Sequence, residues 1–186
     1  MSRRHPIRLL SVALLLPVVL GAQTPARRHV DVPAVAPRAA DVATVDGIVK
    51  AYYDVITGPA GQPRQWSRDR SLYIPDLRFV ATGVGKQGPY ARVMDHQTFV
   101  DGSDSSMVHD GFFEREVHRV TRSYGNIVQV FSTYESRHDP KEAPFARGIN
   151  SFQLFFDGTR WWVVTVFWQA ETAENPIPKE FLPAAH

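Results

Sequence analysis

The stretch from Arg147 to Glu171, RGINSFQLFFDGTRWWVVTVFWQAE, constrains the fold more than any other part of the chain. Asp157-Gly158 lies between two runs rich in aromatic and β-branched residues, the strongest short-range hairpin signal that a sequence carries. A two-residue and a four-residue turn give the same parity. One face then holds Asn150, Phe152, Leu154, Trp161, Val163, Thr165 and Phe167, and the other holds Ile149, Ser151, Gln153, Phe155, Trp162, Val164, Val166 and Trp168. Both faces are largely apolar, so helices are expected on one side of the sheet and further cover on the other.

The rest of the chain falls into an order around this hairpin. Residues 1–22 place Arg3, Arg4 and Arg8 before an apolar run from Leu9 to Leu20 and end in Gly21-Ala22, the three-part pattern of a secretory signal peptide. The run is about half of the ~20 residues a spanning helix needs, so cleavage after Ala22 and export to the periplasm or beyond are expected. Residues 23–40, with Pro25, Pro33 and Pro37, read as an extended, poorly ordered linker. The folded domain is expected over 41–174 and an extended tail, broken by prolines, over 175–186.

Within the domain, Asp41 is expected to cap a helix from Val42 to about Thr57. Val45, Ile48, Val49, Tyr52 and Ile56 form its apolar stripe, and Gly58-Pro59 stops it. A short helix around Pro63–Ser71 would be anchored by Trp66. Short strands follow at Leu77–Thr82 and Tyr90–Met94. Asp95–Met107 reads as a weak helix broken near Gly102. Phe112–Tyr124 and Ile127–Arg137 form a second hairpin around Gly125-Asn126, in which a two-residue turn sets Tyr124 opposite Ile127, His118 opposite Thr133 and Glu116 opposite Glu135.

Composition removes several function classes. Of 21 Lys and Arg, three fall in the first 22 residues, leaving 18 against 19 Asp and Glu, so no basic stripe points to a nucleic acid. There is no cysteine, which excludes disulfides, thiolate metal sites and a cysteine nucleophile, and leaves stability to core packing. The chain has no HExxH, no phosphate-binding glycine loop and no GxSxG, so no metal or cofactor is expected. Asp101–Ser106 lacks the closing glutamate of a calcium loop.

Helices early and antiparallel hairpins late give an α+β order. The segments Ile48-Val-Lys-Ala-Tyr-Tyr53, Tyr124-Gly-Asn-Ile-Val-Gln-Val-Phe131 and Asp157-Gly-Thr-Arg-Trp-Trp-Val-Val164 carry a further signal. In these, the chain resembles the nuclear-transport-factor-2-like superfamily, which includes SnoaL-like cyclases and ketosteroid isomerase, as an exported bacterial member. The likeness runs from Asp41 to about Glu171. It implies a curved mixed or antiparallel sheet wrapped around the N-terminal helices, a cone-shaped apolar pocket, and homodimerisation through the sheet. It also puts Tyr52 where such an isomerase has its oxyanion-hole tyrosine. No carboxylate follows Asp76 in Leu77–Gly83, where the isomerase base would stand.

The densest polar set is Glu114-x-Glu116-x-His118, expected on one strand face with Thr133 and Glu135 opposite. Buried, it would supply paired carboxylates and an imidazole for acid–base work; exposed, it is a solvated edge with ion pairs. Asp95-His96 and His109-Asp110 are further pairs in which a carboxylate would fix an imidazole tautomer. Tyr52 and Asn150 are polar groups set by pattern on apolar faces.

The first expectation is an exported domain that binds a small apolar or aromatic molecule. Tyr52, Tyr134, Asn150 and His118 would be its polar contacts and Trp66, Phe152 and Phe167 its walls. The alternative is an acid–base isomerase, cyclase or dehydratase with His118 or His96 as base, Glu116 as its partner and Tyr52 at the oxyanion. A third is an assembly role with a closed cone.

Overall fold

The computed structural model describes residues 28–184, so the expected leader and its cleavage point lie outside the described residues. In chain order the elements are α1 (Ala39–Val42), α2 (Val45–Ile56), α3 (Trp66–Arg70), β1 (Tyr73–Gly85), β2 (Gly88–Met94), α4 (His96–Asp110), β3 (Phe113–Tyr124), β4 (Ile127–Arg137), β5 (Ala146–Phe156) and β6 (Trp161–Ala170). One six-stranded sheet runs in the order β2-β1-β6-β5-β4-β3. Only β1 and β6 are parallel; the other neighbours are antiparallel. The architecture is therefore α+β with a curved sheet, as expected from the element order, and the β1–β6 pair makes that sheet mixed.

The core sits between the concave face of the sheet and the helices. Ile48, Val49, Tyr52, Val55 and Ile56 of α2 pack on Val128, Val130, Phe152, Leu154, Val163 and Val166. Among the described residues, no helix is long and apolar enough to cross a membrane.

Four local expectations are corrected. Asp41 does not cap the first long helix. Thr44 does, accepting from the Gly47 amide at 2.9 Å, while Asp41 is buried in a two-point pair with Arg68. Residues 28–38 of the expected linker are extended but docked: Val32 is buried, Gln97 donates to the Val30 carbonyl and Arg70 to that of Val32. α4 is unbroken across Gly102. Its polar residues are claimed by tertiary partners, Asp101 by the Val30 amide and Asp104 by the Trp66 indole, and this overrides weak local propensity. The C-terminal tail also folds back, with a 3-10 turn at Lys179–Phe181 that packs Phe181 at a tilt against Phe131 of the outer sheet face.

Both hairpins have the expected turns and then depart from simple alternation. The four-residue turn between Phe156 and Trp161 is held by Asp157, which accepts from the Trp162 indole, Thr159 and the Arg160 amide; these bonds keep its carboxyl far below the usual range. Gly158 supplies the positive φ of 98°. Further along, the register shifts from Leu154↔Val163 to Gln153↔Thr165, leaving Val164 as an extra residue on β6. Val166 and Trp168 therefore turn inward and Phe167 turns outward, 44% exposed. In β3, Tyr124↔Ile127 and His118↔Thr133 hold, but Val117 is extra, so Glu116 meets Tyr134 rather than Glu135.

Candidate active site

A cavity of about 250 Å³ opens inside the cone, between α2, α4 and the inner faces of β3 to β6. Its walls are apolar on the helix side, with Ile56, Phe99, Met107 and Phe112, while Trp168 closes the sheet side. Its polar groups converge from four elements: Tyr52 from α2, Glu114 from β3, Tyr134 and Ser136 from β4, and Asn150 from β5.

Glu114 is the ionisable group of this cavity. Its Oε2 accepts from the Ser136 hydroxyl at 2.7 Å and its Oε1 from the Asn150 amide at 3.3 Å. No lysine or arginine pairs with it among the described residues. Burial pushes its pKa from 4.5 up to about 7, and the two hydrogen bonds offset only part of that rise. The residue also borders an outer groove beside Thr57, Arg115 and Arg137, so protons can exchange with water.

Two phenols share the space. Tyr52 packs edge-on against Phe152, and neither its hydroxyl nor that of Tyr134 has a hydrogen-bond partner among the described residues. Burial first, and then the Glu114 charge, push both pKa values above the ordinary tyrosine value, so both remain donors at neutral pH. Tyr134 reaches its position because Gly148 has no side chain: a Cβ there would collide with the Tyr134 hydroxyl and the Gln169 carbonyl.

Asn150 is fixed from behind by a directed chain. It donates to the Tyr53 hydroxyl at 3.2 Å, Tyr53 lies 2.7 Å from the Ser132 hydroxyl, and Ser132 donates to Glu116. Glu116 is held by Arg119 through contacts at 2.9 and 3.0 Å. With every proton of the chain committed outward, the second Asn150 N–H is left for Glu114.

The residues singled out from sequence separate. Tyr52, Tyr134 and Asn150 meet at this cavity. Glu116 lies behind it, neutralised by Arg119. His118 is on the opposite face of β3 beside Thr133, so the Glu116–His118 pair does not form; the Val117 bulge is the reason. Phe167 points outward because of the Val164 bulge, and Trp168 takes the inner position opposite Asn150. Phe152 is fully buried beneath the two α2 tyrosines, and Trp66 is buried against Asp104 away from the cavity. His96 is bonded to Asp69 in a different pocket. Glu114 stood in the acidic set read from sequence, but nothing in the spacing separated it from Glu116. Among the described residues, no group of three or more His, Asp or Glu side chains is placed to hold a metal.

No protein-family model and no curated protein matches the chain. Solved structures similar to it include three nuclear-transport-factor-2-like proteins of unknown function. The one from Shewanella baltica OS155 is 11% identical, covering 68% of this chain and 90% of that one, with a TM-score of 0.46. Those from Silicibacter pomeroyi DSS-3 and Methylobacillus flagellatus KT are 14% and 12% identical, each covering 69% of this chain and 94% and 95% of theirs, at TM-scores of 0.44 and 0.46.

Proposed function

We propose that the cavity binds a small, largely apolar molecule bearing a carbonyl oxygen, and that Glu114 moves a proton on it. The observation that carries this reading is a carboxyl with a pKa of about 7, facing the same small space as two phenols with free hydroxyls. At 250 Å³ the cavity falls below the ~300 Å³ at which pockets for drug-sized ligands begin, so the substrate is compact.

The chemistry is an isomerisation. The Glu114 carboxylate takes a proton from a carbon beside the carbonyl, and the electron pair moves onto the carbonyl oxygen. The O–H of Tyr52 or Tyr134 stabilises that oxyanion. The substrate carries a β,γ carbon–carbon double bond, so the ion is a dienolate; protonated Glu114 returns the proton to its γ-carbon, and the double bond moves into conjugation with the carbonyl. No redox partner is needed, because atoms and electrons balance within substrate and carboxyl.

The test follows deuterium exchange from D₂O into a panel of small cyclic ketones by NMR. Exchange should require the protein, rise with pH through about 7 as Glu114 ionises, and vanish in Glu114→Gln while ligand binding persists. Saturable binding without exchange would replace the enzyme with a plain binding domain.

Export and self-association belong to the same proposal. The leader-like pattern of 1–22 supports export, and a native N-terminus at Gln23 would test it. Ile127, Phe155 and Phe167 are exposed and apolar on the outer sheet face, which supports a homodimer; light scattering on wild type and Phe167→Glu tests that.

A further inference from the structure

Asp69 is a fully buried carboxylate with no arginine or lysine partner among the described residues. Its Oδ1 accepts from the Tyr73 hydroxyl, and its Oδ2 lies 2.9 Å from Nε2 of His96. A carboxylate at Nε2 holds the proton on that nitrogen, which leaves Nδ1 as the acceptor. The imidazole is further fixed by the Tyr73 and Phe79 rings, 5.5 and 6.4 Å away between centroids.

Nδ1 has no partner among the described residues, nor is it sealed from solvent, and His96 lines a pocket of about 390 Å³. This pocket is separate from the cavity that holds Glu114: the two have no lining residue in common. Its apolar walls are Tyr73, Ile74, Pro75, Leu77 and Trp162, and Arg70, Asp95 and Gln97 line it as well. Arg160 stacks on the Trp162 ring at 3.6 Å and stiffens that wall.

We propose that this pocket is a second ligand site that takes a small hydroxylated aromatic molecule. The ligand's O–H donates to Nδ1 of His96, and its ring lies against Trp162 and Pro75. Asp69 is a positioning residue that sets the imidazole tautomer, and Tyr73 completes the carboxylate's hydrogen bonding. An aromatic ligand suits a wall of indole and pyrrolidine ring, and a hydroxyl suits an acceptor nitrogen left without a partner.

The experiment uses the mature chain labelled with ¹⁵N, and phenol and 4-hydroxybenzoate as probes, with benzoate as the match lacking the hydroxyl. Before any ligand is added, at a pH where the imidazole is neutral, His96 should show a protonated Nε2 and a bare Nδ1. Both hydroxylated probes should then shift His96 Nδ1 and the Trp162 indole resonance saturably, benzoate should not move Nδ1, and His96→Gln should abolish the response. The proposal is overturned by a proton on Nδ1 in the free protein, by equal responses to benzoate and 4-hydroxybenzoate, or by no response at millimolar probe. The tautomer is read on wild-type protein, so the result stands even where a variant fails to fold.

Discussion

Replacing Glu114 with Gln isolates one carboxyl in the pH dependence of stability. The folded protein holds Glu114 at about 7 against 4.5 in the open chain, so between these values the native state binds the extra proton. The contribution is therefore fully present below about 4.5, declines as pH rises, and is gone above about 7. At about 1.4 kcal/mol per pH unit the whole span is worth about 3 kcal/mol, and partial exposure of the residue reduces this to about 2 to 3. Glu114→Gln cannot ionise, but its amide nitrogen cannot accept from Asn150 or Ser136. It thus carries a constant penalty of about 1 kcal/mol and none of the slope. Urea denaturation of both proteins from about pH 5 to about pH 8 reads the difference directly. At about 1 to 3 kcal/mol per molar urea, the midpoint gap should move by about 1 to 2 M in favour of the variant. Asp41, Asp95, Glu135 and Asp157, all held below their ordinary values, work in the opposite direction at lower pH and are common to both proteins. A gap that stays flat across the range would refute the assignment of Glu114 as the neutral carboxyl of the cavity.

The Val164 bulge separates two phenylalanines of one hairpin. Phe152→Ala should cost about 3 to 5 kcal/mol in chemical denaturation and Phe167→Ala under about 1, because the first is fully buried and the second 44% exposed. Tyr53→Phe strands Ser132 and Asn150 and should lower stability by about 1 to 3 kcal/mol, with the Asn150 side-chain amide resonances broadened or moved in NMR spectra. Gly148→Ala should drop the thermal midpoint and displace the Tyr134 ring, which a changed ring-current pattern at Ala146 and Trp168 would report. An unperturbed spectrum there would mean that Tyr134 does not need the glycine.

Much of the sheet was legible because turns are local. Gly125-Asn126 sets the register of one hairpin, from which Tyr124↔Ile127 follows, and Asp157-Gly158 sets the parity of the other, whose four-residue turn pairs Phe156 with Trp161. Tyr52 and Asn150 stood out as polar residues on apolar faces, a signal that needs only periodicity. The bulges were not legible, because an extra residue is settled by what the partner strand and the helices require rather than by its own sequence. The Val117 bulge also decides the chemistry. Strict alternation would have put His118 beside Glu116 and sent Arg119 to the other face. With one residue inserted, His118 leaves and Arg119 arrives, so Glu116 gains a guanidinium partner. Glu114, on the near side of the bulge, gains only a hydroxyl and an amide. The same extra residue thus removes the imidazole expected as base and leaves Glu114 as the carboxyl that burial can hold close to neutrality.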